Sequence, residues 1–123
     1  MSSRMPWPMA STTPQIVEIC GSFAPDTANA PTDVRGDGFT VARTNTGEFT
    51  IAWDKYYPEL ESFTGSLQLA TKSDQFLVCG AVDLTAKTAV MTVWDISGAA
   101  AADVAAAANN RVNFRLAFKN TTL

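Results

Sequence analysis

Apolar side chains recur at every second position in two stretches of this chain, and that spacing belongs to a β-strand covered on one face. In residues 111–119, Val112, Phe114, Leu116 and Phe118 alternate with Arg111, Asn113, Arg115 and Ala117. In residues 38–54, Phe39 and Val41 alternate with Thr40 and Ala42. Phe49, Ile51 and Trp53 then alternate with Thr50, Ala52 and Asp54. Between those two runs lies Thr44-Asn45-Thr46-Gly47, whose residue types tolerate the positive φ of a tight turn. A β-hairpin follows.

Weaker signals extend the same pattern. In 15–23, the β-branched Ile16, Val17 and Ile19 predict a strand, with Glu18 free to meet solvent. In 63–71, Phe63, Gly65, Leu67 and Leu69 share a side. Residues 75–83 are apolar on both faces, as in a central, fully covered strand. In 89–96, Val90, Thr92 and Trp94 oppose Met91, Val93 and Asp95. The connection 24–34 is rich in Pro, Asp, Asn and Thr and reads as a long loop. Residues 97–110 are alanine-rich and predict a short helical turn or a compact loop, with Ser97 as N-cap and Asn109 or Asn110 as the stop. About seven strands with short links make an all-β domain, a β-sandwich or jelly-roll-like fold, over residues 15–123.

The 14 residues before it, MSSRMPWPMASTTP, show no periodicity and read as a flexible N-terminal arm. Trp7 stands out there, because an indole ring gains little from water. With Met5, Pro6 and Pro8 it forms the candidate partner-binding segment, docking on a neighbour or folding back on the domain.

A chain of 123 residues suits one domain, which at this size buries roughly two-thirds of the surface its unfolded form exposes. Charged residues are 17% and apolar ones 46%, a lightly charged balance that fits a surface partly covered by a partner. The net charge is −3, with no basic cluster, which argues against nucleic acid and against an anionic membrane. Residues 1–14 lack the apolar run of a signal peptide, and no stretch is long enough to span a bilayer, so the expectation is a chain made in a cytoplasm. Cys20 and Cys79 lie in apolar runs and are expected to be small buried hydrophobes, with a strand-stapling disulfide as the alternative.

Little in the sequence carries catalysis. There is no histidine, so Ser-His-Asp and Cys-His machinery is excluded, and no metal-ligand or cofactor spacing is present. Glu59 and Glu61 lie two apart and fit an acid–base pair in principle, but two solvated charges beside Pro58 explain them better. Gly36-Asp37-Gly38 lacks the rest of a phosphate-loop fingerprint and serves to turn the chain into the hairpin. Arg35-Gly36-Asp37 spells an integrin-type tripeptide, and Asn120-Thr121-Thr122 a glycosylation sequon. Neither has a supporting context. Trp53, Trp94, Tyr56 and Tyr57 would suit sugar stacking in a carbohydrate-binding β-sandwich, though core packing accounts for the two tryptophans more simply.

The run Gly38-Phe39-Thr40-Val41-Ala42-Arg43-Thr44, then Gly47-Glu48-Phe49-Thr50-Ile51, then Tyr57-Pro58-Glu59-Leu60, resembles a pattern common in small virion proteins of tailed bacteriophages. The ending 110–118, NRVNFRLAF, adds to the resemblance, which covers roughly residues 15–123. It implies a jelly-roll-like domain in a homotrimer, encoded among structural genes, and it identifies no catalytic residue. The expected role is a capsid decoration or cement protein on the virion surface, bound to the major capsid protein and to itself. A tail, fibre or spike subunit is the alternative within the same class.

Overall fold

The computed structural model describes residues 16–119. The expected arm, with Met5, Pro6, Trp7 and Pro8, lies outside the described residues. Within them the chain is all β and contains no helix. Nine strands follow in order: β1 Ile16–Asp26, β2 Asn29–Arg35, β3 Phe39–Asn45, β4 Glu48–Trp53, β5 Glu59–Gln68, β6 Gln75–Asp83, β7 Thr88–Asp95, β8 Ala100–Ala101 and β9 Arg111–Lys119.

They form two antiparallel sheets that face each other as a sandwich. The first has the order β2-β1-β9-β5 and the second β3-β4-β7-β6, with the short β8 beside the end of β7. After β5, β6 and β7, the chain returns as β9 to lie beside β5, a Greek-key connection. At the two sides of the sandwich β2 approaches β3 and β5 approaches β6, without a ladder between them.

The two period-two stretches supply the centre of the core. Val112, Leu116 and Phe118 of β9 are fully buried against Phe49 and Ile51 of β4 and Met91 and Val93 of β7, with Phe23 from β1. Phe23 packs on Phe49 with ring centroids 4.8 Å apart, and Phe118 meets both Trp53 and Tyr57 at the same separation. Each such ring contributes about 1.5–3 kcal/mol by leaving water. The hairpin turns where expected. Gly47 has φ +66°, and a Cβ there would lie 2.6 Å from the Ala102 carbonyl oxygen, so only glycine fits.

Four expectations need correction. The loop expected at 24–34 is the last three residues of β1 and all of β2 but Arg35, a hairpin with two register shifts. Pro25 falls at one of those shifts, where a missing N–H costs no ladder bond, and Pro31 sits in an edge strand. β2, together with the short β8, raises the count from about seven strands to nine.

Of the two expectations for the alanine-rich 97–110, the helical turn does not form and the segment is a loop carrying β8. Its backbone is claimed by neighbours: Ala102 N donates to Val93 O at 3.0 Å, and Val104 O accepts from Thr27 N at 2.9 Å. Asp103 binds Arg43 through Nε and Nη2 at 3.1 and 2.9 Å and accepts from Gly47 N at 2.8 Å. An isolated helix of this length is marginal in water, so these anchors prevail.

β6 is an edge strand and not a central one. Finally, Cys20 is exposed on the outer side of the first sheet, while Cys79 is half-buried in the second. Both are free thiols.

Candidate functional site

The outer faces of the two sheets differ sharply in chemistry. On the first sheet, β9 presents Arg111, Asn113, Arg115 and Lys119 between the Ser22, Cys20 and Glu18 side of β1 and the Ser66, Thr64 and Ser62 side of β5. Its charges are mutually satisfied. Arg115 pairs with Glu18. Lys119 Nζ lies 3.1 Å from Glu59 and 3.5 Å from Glu61, and Glu59 above all raises the lysine pKa. Arg111 donates to Ser22 Oγ and to the Asp33 carboxylate, each at 2.9 Å, tying β9 to β2 across β1. Hydrogen bonds from Arg35, and then Arg111, hold the Asp33 carboxyl below its ordinary value. Glu59 and Glu61 therefore clamp a lysine and do not form a carboxylate pair.

The outer face of the second sheet carries almost no charge. β6 places Phe76, Val78 and Gly80 there, opposite Trp94, Thr92 and Val90 of β7. Thr50 and Ala52 of β4 and Thr40 and Ala42 of β3 continue it, with Glu48 the one charged side chain in those rows. Phe76 is 43% exposed, Val78 41% and Trp94 37%, and Ile96, just past the end of β7, is 59% exposed. A wholly exposed aromatic presents about 150–250 Å². On that scale these four side chains leave roughly 300–400 Å² of apolar surface in water, within the range where the largest patch on a monomer is often functional.

Gly80 leaves open space on this face. A Cβ added there would meet no atom within 4 Å. That space lies between Val78 and the paired Val90, and the backbone bulges immediately after it, at Ala81, whose φ is +48°. At the Phe76–Trp94 end, Asp74 accepts from the Ser97 backbone N–H at 2.9 Å and from the Ser97 hydroxyl. Those bonds, the hydroxyl's first, hold its carboxyl below the ordinary value.

A second concavity lies at the opposite end, where Val17, Ile19, Trp53 and Tyr57 with Asp37 and Asp54 line a cleft of about 290 Å³. Trp53 Nε1 is a buried donor without a partner among the described residues. The ring itself is core, packed on Phe118. Among the described residues, no group of three or more His, Cys, Asp or Glu side chains could hold a metal ion.

Of the four aromatics considered for sugar stacking, Trp53 and Tyr57 are thus core residues, while Trp94 and Tyr56 are exposed. The sequence reading put Trp94 inside. The signal that would have placed it outside was present: β6 and β7 both carry apolar residues on two faces, and a two-layer sandwich buries only one of them. Comparison with protein-family models, with curated proteins and with solved structures finds no match to this chain.

Proposed function

We propose that this chain is a structural virion component of a tailed bacteriophage, a decoration protein that binds the outside of the assembled capsid and stabilises it by contact alone. The observation that carries the reading is the unequal dressing of the sandwich. One broad face is polar with its charges paired, and the other is nearly uncharged and carries an apolar strip along its edge strand. Such a face is stable in water only at a cost, and covering it in an assembly recovers that cost. A protein that binds the assembled shell and not its parts shifts the balance toward the shell by mass action. The sequence resemblance supplies the particle, and the homotrimer it implies would match a symmetric capsid site and gain avidity from several weak contacts.

The test is the copy number of the chain in purified particles, measured by quantitative mass spectrometry against the major capsid protein. Hundreds of copies in simple ratio are expected. A few tens or fewer would move the chain to the tail or a fibre, and absence from particles would end the virion reading. A carbohydrate-binding module is the second reading, favoured by the exposed Trp94 beside Phe76 on a flat sheet face. Tryptophan fluorescence that is quenched by a soluble quencher, and protected by a sugar, would support it over the first.

A further inference from the structure

We infer that the apolar outer face of β6 and β7 receives the segment Met5–Met9 of a neighbouring copy of this chain. The inference rests on the reading of that face as a docking surface and names its occupant.

Size is the first argument. A standard protein interface takes about 800 Å² from each partner. The exposed apolar strip is roughly half that, which fits a short extended segment better than a whole domain. Met5-Pro6-Trp7-Pro8-Met9 is such a segment. Met5 and Trp7 each precede a proline, which biases them to extended backbone, and each proline fixes its own φ. Little conformational freedom is then left to lose on docking. In an extended chain Met5, Trp7 and Met9 fall on one side. The face offers the same two-residue rhythm in Phe76, Val78 and Gly80, and at Gly80 no side chain stands in the way of a docked segment.

Charge agrees. Residues 1–15 contain one charged side chain, Arg4, three positions before Trp7. Glu48 lies on the face, and Asp74 and Asp83 bound β6. Lys72 and Lys87 lie in the turns beyond those two aspartates, so Glu48 is the acidic side chain on the face itself that the arm's one basic residue would meet.

Reach selects the neighbour. Ile16 begins β1 opposite Lys119, at the end of the sandwich where Phe118 meets Trp53 and Thr88 pairs with Ala52. From there the Phe76–Trp94 pair lies about 20 Å along β7, and on the far side of sheets spaced about 10 Å apart. Nine residues at full stretch span about 30 Å. With Trp7 on the Phe76–Trp94 pair the segment would have to be taut to reach its own face, whereas a neighbouring face imposes no such strain. An arm passed head-to-tail to the next copy closes into a ring where the rotation between copies permits, which is compatible with the proposed trimer.

A benzophenone-bearing amino acid in place of Trp7, in the full chain, tests this. Isotopically heavy and light protein are mixed, irradiated and digested, and the cross-linked peptides are sequenced. Heavy–light links from position 7 to residues 75–82 or 90–96 are expected. Gly80→Val, which fills the open space where the fold has room, should abolish those links and weaken self-association about tenfold or more, as loss of a central anchor does. Links confined to one copy would overturn the exchange between copies. If no link reaches this face while Phe76→Thr still abolishes binding to particles, the occupant is wrong and the docking face stands. If Phe76→Thr also leaves particle binding unchanged, both readings fall.

Discussion

The two outer faces of this sandwich are built from the same strand alternation yet solve opposite problems. On the first sheet, charged and hydroxyl side chains stand beside partners, as Arg115 beside Glu18 and Arg111 beside Ser22, with Ile16 a lone exposed apolar residue at the end of β1's outer row. Such a face is content in water and gains little from any single pair. On the second, Phe76, Val78 and Trp94 stand in solvent at the edge of the sheet, where nothing in the described chain covers them. The comparison teaches that a strand apolar on both sides signals two coverings and not a central position. One covering comes from the fold and the other, under the proposed function, from a partner.

The largest expected effect falls on what the faces share. Phe118→Ala removes the ring that joins Trp53 and Tyr57 between the sheets and should cost about 3–5 kcal/mol in denaturant unfolding. A loss under about 1 kcal/mol would mean that the sheets are not held together there.

Next comes the anchor of the alanine-rich segment. Asp103→Ala leaves Arg43 and the Gly47 N–H without their acceptor and should cost about 2 kcal/mol. Hydrogen bonds from Arg43, foremost, hold the Asp103 carboxyl below its ordinary 3.8. The sign follows from linkage: this contribution is complete above pH 3.8 and fades as pH falls through the lower folded value. Stability curves of the wild type and of Asp103→Asn should therefore converge in strong acid and diverge above it. Parallel curves would deny the anchor.

The faces themselves differ in kind. Phe76→Thr together with Val78→Thr should change monomer stability by less than about 1 kcal/mol, since both side chains are half in water already, yet abolish association seen by sedimentation. The matching change on the other face, Glu18→Gln with Arg115→Gln, should leave association unchanged and the melting temperature without a resolvable shift. If the second pair disrupts assembly and the first does not, the roles of the faces are reversed.

Much of this architecture was legible residue by residue. β9 runs over Arg111–Lys119 as its alternation required, and the Phe39–Trp53 hairpin turns at Gly47 as its residue types required. These are local signals, and local rules read them. What escaped was long-range. Asp103 ends helix formation in an alanine run because its partner Arg43 lies sixty positions earlier, a pairing no periodicity reveals. β2 hid behind Pro31 and its Asp and Asn neighbours, residues a central strand would exclude but an irregular edge strand accepts. The candidate face was half legible: the apolar residues of β6 were plain, and their exposure depended on sheet order, which composition does not encode.

Hydroxyl-radical footprinting of the full chain, assembled and then diluted to the monomer, tests the central claim most directly. The account predicts that Phe76, Val78 and Trp94 are protected in the assembly and oxidise on dilution, while Phe63 and Leu67, on the inner side of the first sheet, react alike in both states. Protection confined to the first sheet, or equal reactivity of Phe76 and Trp94 in both states, would contradict it.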